Sequence, residues 1–264
     1  LIREWLKESQ NEIPEYLNEI IFYLGQNYSF IWQNINQNLL FNGNHVIQNH
    51  DFDKYLSHHN YKFKNESNEY GGYVILKNKN IILSADLGSS PEKKFSNDYQ
   101  SGALSFEIFF NNCKLISNCG YFQNYKHQLN SISKSSASHS TLALDNHSSC
   151  NFKKDSDGIF KVDRGLKILK KSIISEKKYW NISGSHDGYI KKYGVIHERI
   201  IEFFIEKNKF VGTDKLIKKK KFKNSNFEIR FHFEPGVKIN KTQDEKSILI
   251  ELENSGWKFS CKDH

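Results

Sequence analysis

From Gly72 onward the chain is a succession of short apolar runs, each bounded by Asn, Gly, Ser or Lys, with no helical stretch between them. "YVILKNKNIILSAD" (73–86) reads as strand, turn, strand, and "LSFEIFFNNCKLISNCG" (104–120) repeats the pattern about a hinge at Asn111-Asn112. "RIIEFFIEKNKFVGTDKL" (199–216) turns around Lys207-Asn208, and "SILIELENSGWKFSC" (247–261) is one more hairpin. In "FEIRFHFEPGVKI" (227–239) alternation is strict. Phe227, Ile229, Phe231 and Phe233 share one face, and Glu228, Arg230, His232 and Glu234 share the other. Strands joined by hairpins without crossover helices predict an antiparallel sandwich. The region is too long for an immunoglobulin-like domain of about seven strands, so two large stacked sheets are expected.

The first part of the chain has a different texture. Ile13, Leu17, Ile20, Ile21 and Leu24 fall at helical spacing, with Pro14 suited to a first turn and Gly25 to an end. A second helix is expected around Phe30–Leu40, a turn at 41–44, and a polar stretch from about 44 to 70. The chain begins at Leu1 and shows no basic-then-apolar leader, so it is expected to be a piece or a processed product. No apolar run approaches the roughly 20 residues that span a bilayer.

Net charge is +8, which favours polyanionic partners such as acidic polysaccharide, nucleic acid or anionic membrane. The excess of Lys over Arg is equally what an AT-rich coding sequence gives. The lysine run "KLIKKKKFKN" (215–224) lacks interleaved aromatics and lies between two hairpins, so a solvated loop or lysine-protected edge strand is expected there, not a nucleic-acid footprint. Cys113, Cys119, Cys150 and Cys261 form no C-x-x-C pair, which argues against a zinc knuckle.

Four histidine segments are the candidates for chemistry: "SASHSTL" (His139), "SHDGY" (His186, followed by Tyr189), "GVIHER" (His197) and "RFHFEP" (His232, with Arg230). A lone histidine is more often structural than catalytic. No H-x-H or H-E-x-x-H spacing fixes a metal. His139 stands out because small residues crowd in front of it, which is expected to leave its ring reachable. The alternative is that it bonds a backbone carbonyl and pins a turn.

The order of "LLFNGN", "GGYVILKNKNIILSADLGSSP", "YQSGALSFEIFFNNCKLISNCG", "SSASHSTLALDNHSS", "SHDGYIKKYGVIHERIIEF", "FVGTDKL" and "IRFHFEPGV" resembles the C-terminal region of the heparinase II/III-like polysaccharide lyases, in their alphaproteobacterial version. The resemblance runs over roughly residues 38 to 260. It implies the last helices of an (α/α) toroid plus linker over 1–60, then a large antiparallel β-sandwich over 61–264. It also implies β-elimination on a uronate-containing acidic polysaccharide. In that reaction a base removes the proton at C5, and the glycosidic oxygen leaves from C4. The developing charge must be stabilised by donors at the carboxylate, and a Tyr or His serves as base and acid. On this basis His139, His186 and Tyr189 are the catalytic candidates. Gln100, Asn118, His197, Arg230 and His232 are the substrate-binding candidates. A periplasmic or cell-envelope location follows from the same likeness.

The departures concern metal. The family's H-x-H-x-D reads here Asp98-Tyr99-Gln100-Ser101-Gly102, and its next aspartate ligand corresponds to Asn118. Of the family's zinc-type ligands in the sandwich, His139 alone remains. Amide oxygens are weak zinc ligands, so no metal and no other cofactor is expected. The lost ligands equally suit a non-catalytic carbohydrate-binding or envelope protein that keeps the fold. A nucleic-acid binder would rest on charge alone and is not expected.

Overall fold

The computed structural model describes residues 68–111, 113–221, 225–252 and 255–261. The helices expected at 13–24 and 30–40, and the toroid remnant over 1–60, lie outside the described residues. Within them the chain is mainly β, and every strand pairing is antiparallel.

The larger sheet has six strands: β1 (Asn68–Tyr70), β2 (Tyr73–Lys77), β3 (Ile81–Asp86), β4 (Phe106–Phe110), β5 (Cys113–Ser117) and β14 (His232–Phe233), in the order β1-β2-β3-β4-β5-β14. The second sheet has four: β9 (Ile168–Ser175), β10 (Tyr179–His186), β11 (Val195–Phe204) and β12 (Lys209–Lys218), in the order β12-β11-β10-β9. Smaller units complete the set: β6 (Leu142–Leu144) with β13 (Phe227–Ile229), β7 (Asn151–Lys154) with β8 (Phe160–Arg164), and β15 (Lys238–Lys241) with β16 (Ser247–Leu252) and β17 (Ser255–Ser260). Two short helices, α1 (Gln128–Ser133) and α2 (Ile190–Tyr193), interrupt the strands.

The turns follow from the sequence. At the β2–β3 hairpin the Asn78 side-chain oxygen accepts from the N–H groups of Asn80 and Ile81, at 2.9 and 2.8 Å, closing the chain on itself. Asn111 and Asn208 take left-handed backbone at the β4–β5 and β11–β12 hairpins, a conformation asparagine tolerates better than most residues.

The two sheets bury one core between them. Val74, Leu76, Ile81, Leu83, Phe106, Ile108 and Phe110 come from the larger sheet, and Trp180, Ile182, Ile201 and Phe203 from the smaller. Burying each such side chain is worth about 1.5–3 kcal/mol, which ties the sheets together. Trp257 of β17 extends the core by packing edge-on against Phe110, at 5.2 Å between ring centroids.

One expected strand is divided. Residues 227–233 do not form a continuous ribbon: Phe227 pairs with Leu144 in β13–β6, whereas His232 pairs with Ser117 in β14–β5. The apolar face predicted from alternation is split in consequence. Ile229 packs beside Leu142 and Tyr189, Phe231 and Phe233 join the main core, and Phe227 is 58% exposed. Alternation records which face a residue takes but not which strand it pairs with.

Candidate functional site

The site forms where the 135–141 loop meets one end of the four-stranded sheet. The small residues of that loop are fasteners. Ser136 Oγ donates to the Ser101 carbonyl (2.8 Å), Ser138 Oγ to that of Ile132 (2.7 Å) and Ser140 Oγ to that of Ser117 (2.8 Å). The stitched backbone closes over His139, which is only 4% exposed. The expectation of a reachable ring is corrected here: short side chains let the backbone approach, and it covers the imidazole. Gly102 contributes to this cover, since a Cβ there would stand 2.8 Å from His139 Cδ2.

Both ring nitrogens of His139 are engaged. Nδ1 lies 2.9 Å from the Ser135 carbonyl and Nε2 lies 2.8 Å from the Gln100 side-chain amide. A carbonyl only accepts, so Nδ1 carries the proton. Burial pushes the imidazole pKa down to about 4, with the Ser135 carbonyl working upward and His232 adding a further downward push, so the ring is neutral at pH 7. Nε2 is then an acceptor, and Gln100 must offer its NH2 end. The two ends of an amide side chain are assigned by the network in this way.

Asn118 is held beside this loop. Its Oδ1 accepts from the Ser140 N–H at 2.8 Å, while its own backbone N–H donates to Glu107 Oε1 at 3.1 Å. Glu107 is buried and paired with Lys114 at 3.0 Å. His232 and Arg230 flank the other side. His232 N–H donates to Ser140 Oγ (2.9 Å), and its Nε2 reaches the Ala137 carbonyl (2.9 Å). Burial lowers the His232 pKa as well. Arg230 is paired with Glu228 at 2.6 Å. Gln100, Asn118, Arg230 and His232 all remain partly exposed.

His186 and His197 belong to a second, fully buried group. They sit opposite each other across β10 and β11, as do Gly184 and Arg199, and Arg199 faces Asp214 across β11 and β12. The inner face of this sheet is thus apolar at the Trp180–Phe203 end and polar at the His186–His197 end. The hydrogen-bond chain has one consistent proton assignment. The Gly188 N–H donates to His186 Nδ1 (3.1 Å), His186 Nε2–H to His197 Nδ1 (3.2 Å), and His197 Nε2–H to Asp214 Oδ1 (2.6 Å). Burial depresses both imidazoles, so both are neutral. Burial works to raise the Asp214 carboxyl, but Arg199 and His197 hold it below the usual carboxylate range.

Arg199 joins the two groups. It grips Asp214 with two N–H donors and sends Nη1 to the carbonyls of Leu104 (2.9 Å) and Ser140 (2.6 Å). Leu104 is buried with left-handed backbone (φ 61°), a conformation costly for leucine that this capture helps to hold. Neither Arg199 nor Asp214 was singled out from the sequence. The available signal was His197-Glu198-Arg199 on an alternating strand, followed by a hairpin that returns "TD" opposite the arginine.

Tyr189 is 1% exposed, and its hydroxyl donates to the Leu142 carbonyl at 2.8 Å. His139, His186, His197 and Tyr189 are therefore enclosed and hydrogen-bonded. Gln100, Asn118, Arg230 and His232 form the accessible rim around the loop.

The zinc that the resemblance implies does not suit these donors. Two ligands of a tetrahedral zinc stand about 3.3 Å apart, given bonds of about 2.0–2.1 Å. His139 and Gln100 are in direct contact at 2.8 Å, and the Asn118 oxygen is committed to Ser140. Among the described residues no group of three or more His, Cys, Asp or Glu side chains is placed to hold a metal.

Comparison with known proteins agrees with this architecture. No curated protein matches the chain. Among solved structures, the heparan sulfate lyase HepC from Pedobacter heparinus aligns with a TM-score of 0.58 at 14% identity, covering 77% of this chain and 32% of that one. A heparinase III aligns with a TM-score of 0.55 at 16% identity, covering 79% of this chain and 34% of the other. Another heparinase III gives 0.55 at 16% identity, covering 79% and 31%. At these identities the likeness is one of fold, and this chain spans about a third of the length of those structures. A family model described as "Heparinase II/III-like, C-terminal" matches residues 64–264. That match takes in both sheets and every residue of the site, and the chain belongs to the heparinase II/III-like C-terminal family.

Proposed function

We propose that this sandwich is one wall of the cleft of a polysaccharide lyase that cuts a uronate-containing acidic glycan by β-elimination, in the periplasm or cell envelope. The observation that carries the reading is the accessible rim of Gln100, Asn118, Arg230 and His232 around the stitched 135–141 loop, in a chain of this family. The solved structures it resembles include a heparan sulfate lyase. The rim supplies amide, imidazole and guanidinium donors, the groups that stabilise charge developing on a uronate carboxylate as the C5 proton leaves. His139, His186 and Tyr189 stand behind the rim without touching sugar, His139 against the Gln100 side chain and the Ser135 carbonyl, Tyr189 on the Leu142 carbonyl and His186 on the Gly188 N–H. His232 is the imidazole of the rim, with Nε2 donating to the Ala137 carbonyl and Nδ1 3.5 Å from Cys119 Sγ, and it serves to position the loop. No metal takes part, and elemental analysis of the purified protein should find no stoichiometric zinc.

The test is ultraviolet absorbance of the new C4–C5 double bond over a panel of uronate polymers, with the whole protein. Release of unsaturated ends from one of them supports the reading, and binding without release contradicts it. That second outcome would favour a non-catalytic glycan-binding protein, a reading that draws support from the enclosure of both His139 ring nitrogens.

A further inference from the structure

We infer that the lysine-rich corner made by Lys191, Lys192 and Lys218–Lys221 is a docking surface for an anionic polysaccharide, separate from the rim around His139. The inference rests on the glycan reading above and names where a long polymer would continue.

All six lysines are exposed, and none has an acidic partner among the described residues. Lys215, just upstream, does have one, in Glu198 at 3.5 Å. Edge protection explains a lysine on β12, the outer strand of its sheet, but not Lys219, Lys220 and Lys221, which follow the strand. Those three are not on a loosely tethered loop either. The Gly194 carbonyl accepts from the N–H groups of Lys219 (2.8 Å) and Lys220 (3.0 Å). Gly194 is in left-handed backbone (φ 74°), and a Cβ there would stand 2.7 Å from the Lys221 carbonyl oxygen. The end of α2 and the lysine run therefore interlock, and the interlock sets Lys191 and Lys192 beside the run. Like charges held this close repel one another, and a polyanion relieves that repulsion.

Chemistry and position favour a glycan among polyanions. Lysine ammonium groups are point charges suited to scattered carboxylates and sulfates, without the planar fork that reads bases or clamps phosphates. Among the described residues of this corner the aromatic one is Tyr193, which is 1% exposed and offers no face for stacking a base. Lys218 lies four residues along β12 from Asp214, roughly 13 Å at about 3.3 Å per residue. Lys218 pairs with Val195, two residues beyond the His197–Leu216 pair, so the corner continues the polar end of this sheet, the end that Arg199 ties to the 135–141 loop.

The test compares the whole protein with a K218Q/K219Q/K220Q/K221Q variant and with K191Q/K192Q, measuring binding to heparan sulfate and to polygalacturonate at several salt concentrations. The Gly194 hydrogen bonds use backbone N–H groups and the substitutions relieve like-charge repulsion, so neither variant should melt below the wild type. The expected result is an affinity loss of about tenfold for the quadruple variant in low salt, with a shallower salt dependence. Unchanged affinity and salt slope, or no polysaccharide binding by the wild type, would overturn the inference. So would a loss seen only with a single-stranded oligonucleotide or with phosphatidylserine vesicles. If the wild type binds these polymers through the corner but releases no unsaturated ends, the lyase reading fails and the corner stands. If it cleaves them and the variants bind like the wild type, the corner fails and the lyase reading stands.

Discussion

Arg199 meets Asp214 side-on, with Nε 2.8 Å from Oδ1 and Nη2 3.0 Å from Oδ2, and both side chains are buried. The remaining guanidinium donor, Nη1, reaches the backbone of Leu104 and Ser140, so one ion pair fastens the four-stranded sheet to the loop that carries His139. Such a pair adds little over a well-packed apolar replacement, but half of it left alone is costly. Asp214→Ala should therefore destabilise the fold by about 3–5 kcal/mol in urea unfolding. Arg199→Met combined with Asp214→Leu should cost clearly less than the sum of the single changes. Additive effects would show that the pair does not act as a unit.

His139 sets a pH dependence. Its folded pKa of about 4 lies below the ordinary 6.5, so the unfolded chain takes up a proton first as pH falls. Stability should be full above about pH 6.5 and decline toward pH 4, by about 3 kcal/mol from this residue. His186 and His197 are depressed in the same direction and add to the decline. Unfolding midpoints at pH 7 and pH 5 measure it, and His139→Asn should flatten the slope. Equal midpoints in the wild type would contradict the buried, neutral assignment.

Asp86 pulls the other way. Burial pushes its carboxyl up to about 7, against the Gly88 N–H that donates to it at 2.9 Å. The stability it contributes is full below about pH 4, the ordinary aspartate range, and is lost progressively as pH rises from there to about 7. Asn keeps the acceptor for Gly88 and cannot ionise. Asp86→Asn should match the wild type only at about pH 3.5, exceed it increasingly as pH rises, and lead by roughly 4 kcal/mol at pH 9. A variant less stable at pH 9 would show that the carboxylate has a partner worth more than its burial costs.

Gly102 leaves space for an imidazole. Its missing Cβ would stand 3.2 Å from His139 Nε2 as well as 2.8 Å from Cδ2, and no flexible chain end is available to yield. Gly102→Ala should cost about 1–3 kcal/mol. It should also loosen the Gln100 contact, moving the His139 titration, followed by its imidazole proton resonances, upward toward the ordinary range. An unshifted titration with wild-type stability would mean that the ring has room that the packing does not indicate.

The fold was legible where its signals are local. Period-two alternation and the asparagine turns at 78–80 and 111 are encoded within a few residues, and the hairpins they predict are present. Pairing partners are not local, which is why residues 227–233 read as one strand although their halves serve different sheets. The site was legible as a set of residue types but not as an arrangement. His186 and His197 stand in separate segments until register sets them face to face, and Arg199 gains meaning only when the hairpin returns Asp214 opposite it. The serines before His139 suggested openness. The hydroxyls of Ser136 and Ser138 instead tie the backbone to residues 101 and 132, and that of Ser140, just after the histidine, ties it to 117, a closure that no local pattern reveals.

The central claim is that acidic sugar meets this sandwich at the rim around the 135–141 loop. Backbone amide NMR of the chain titrated with a size-defined heparan sulfate oligosaccharide tests it most directly. Shifts should concentrate at Gln100, Asn118, Arg230 and His232 and continue toward Lys218–Lys221. The β15–β17 hairpins should stay unmoved, and the pattern should weaken with salt. Shifts that avoid the rim and cluster on β15–β17, or no saturable shifts in low salt, would contradict the account.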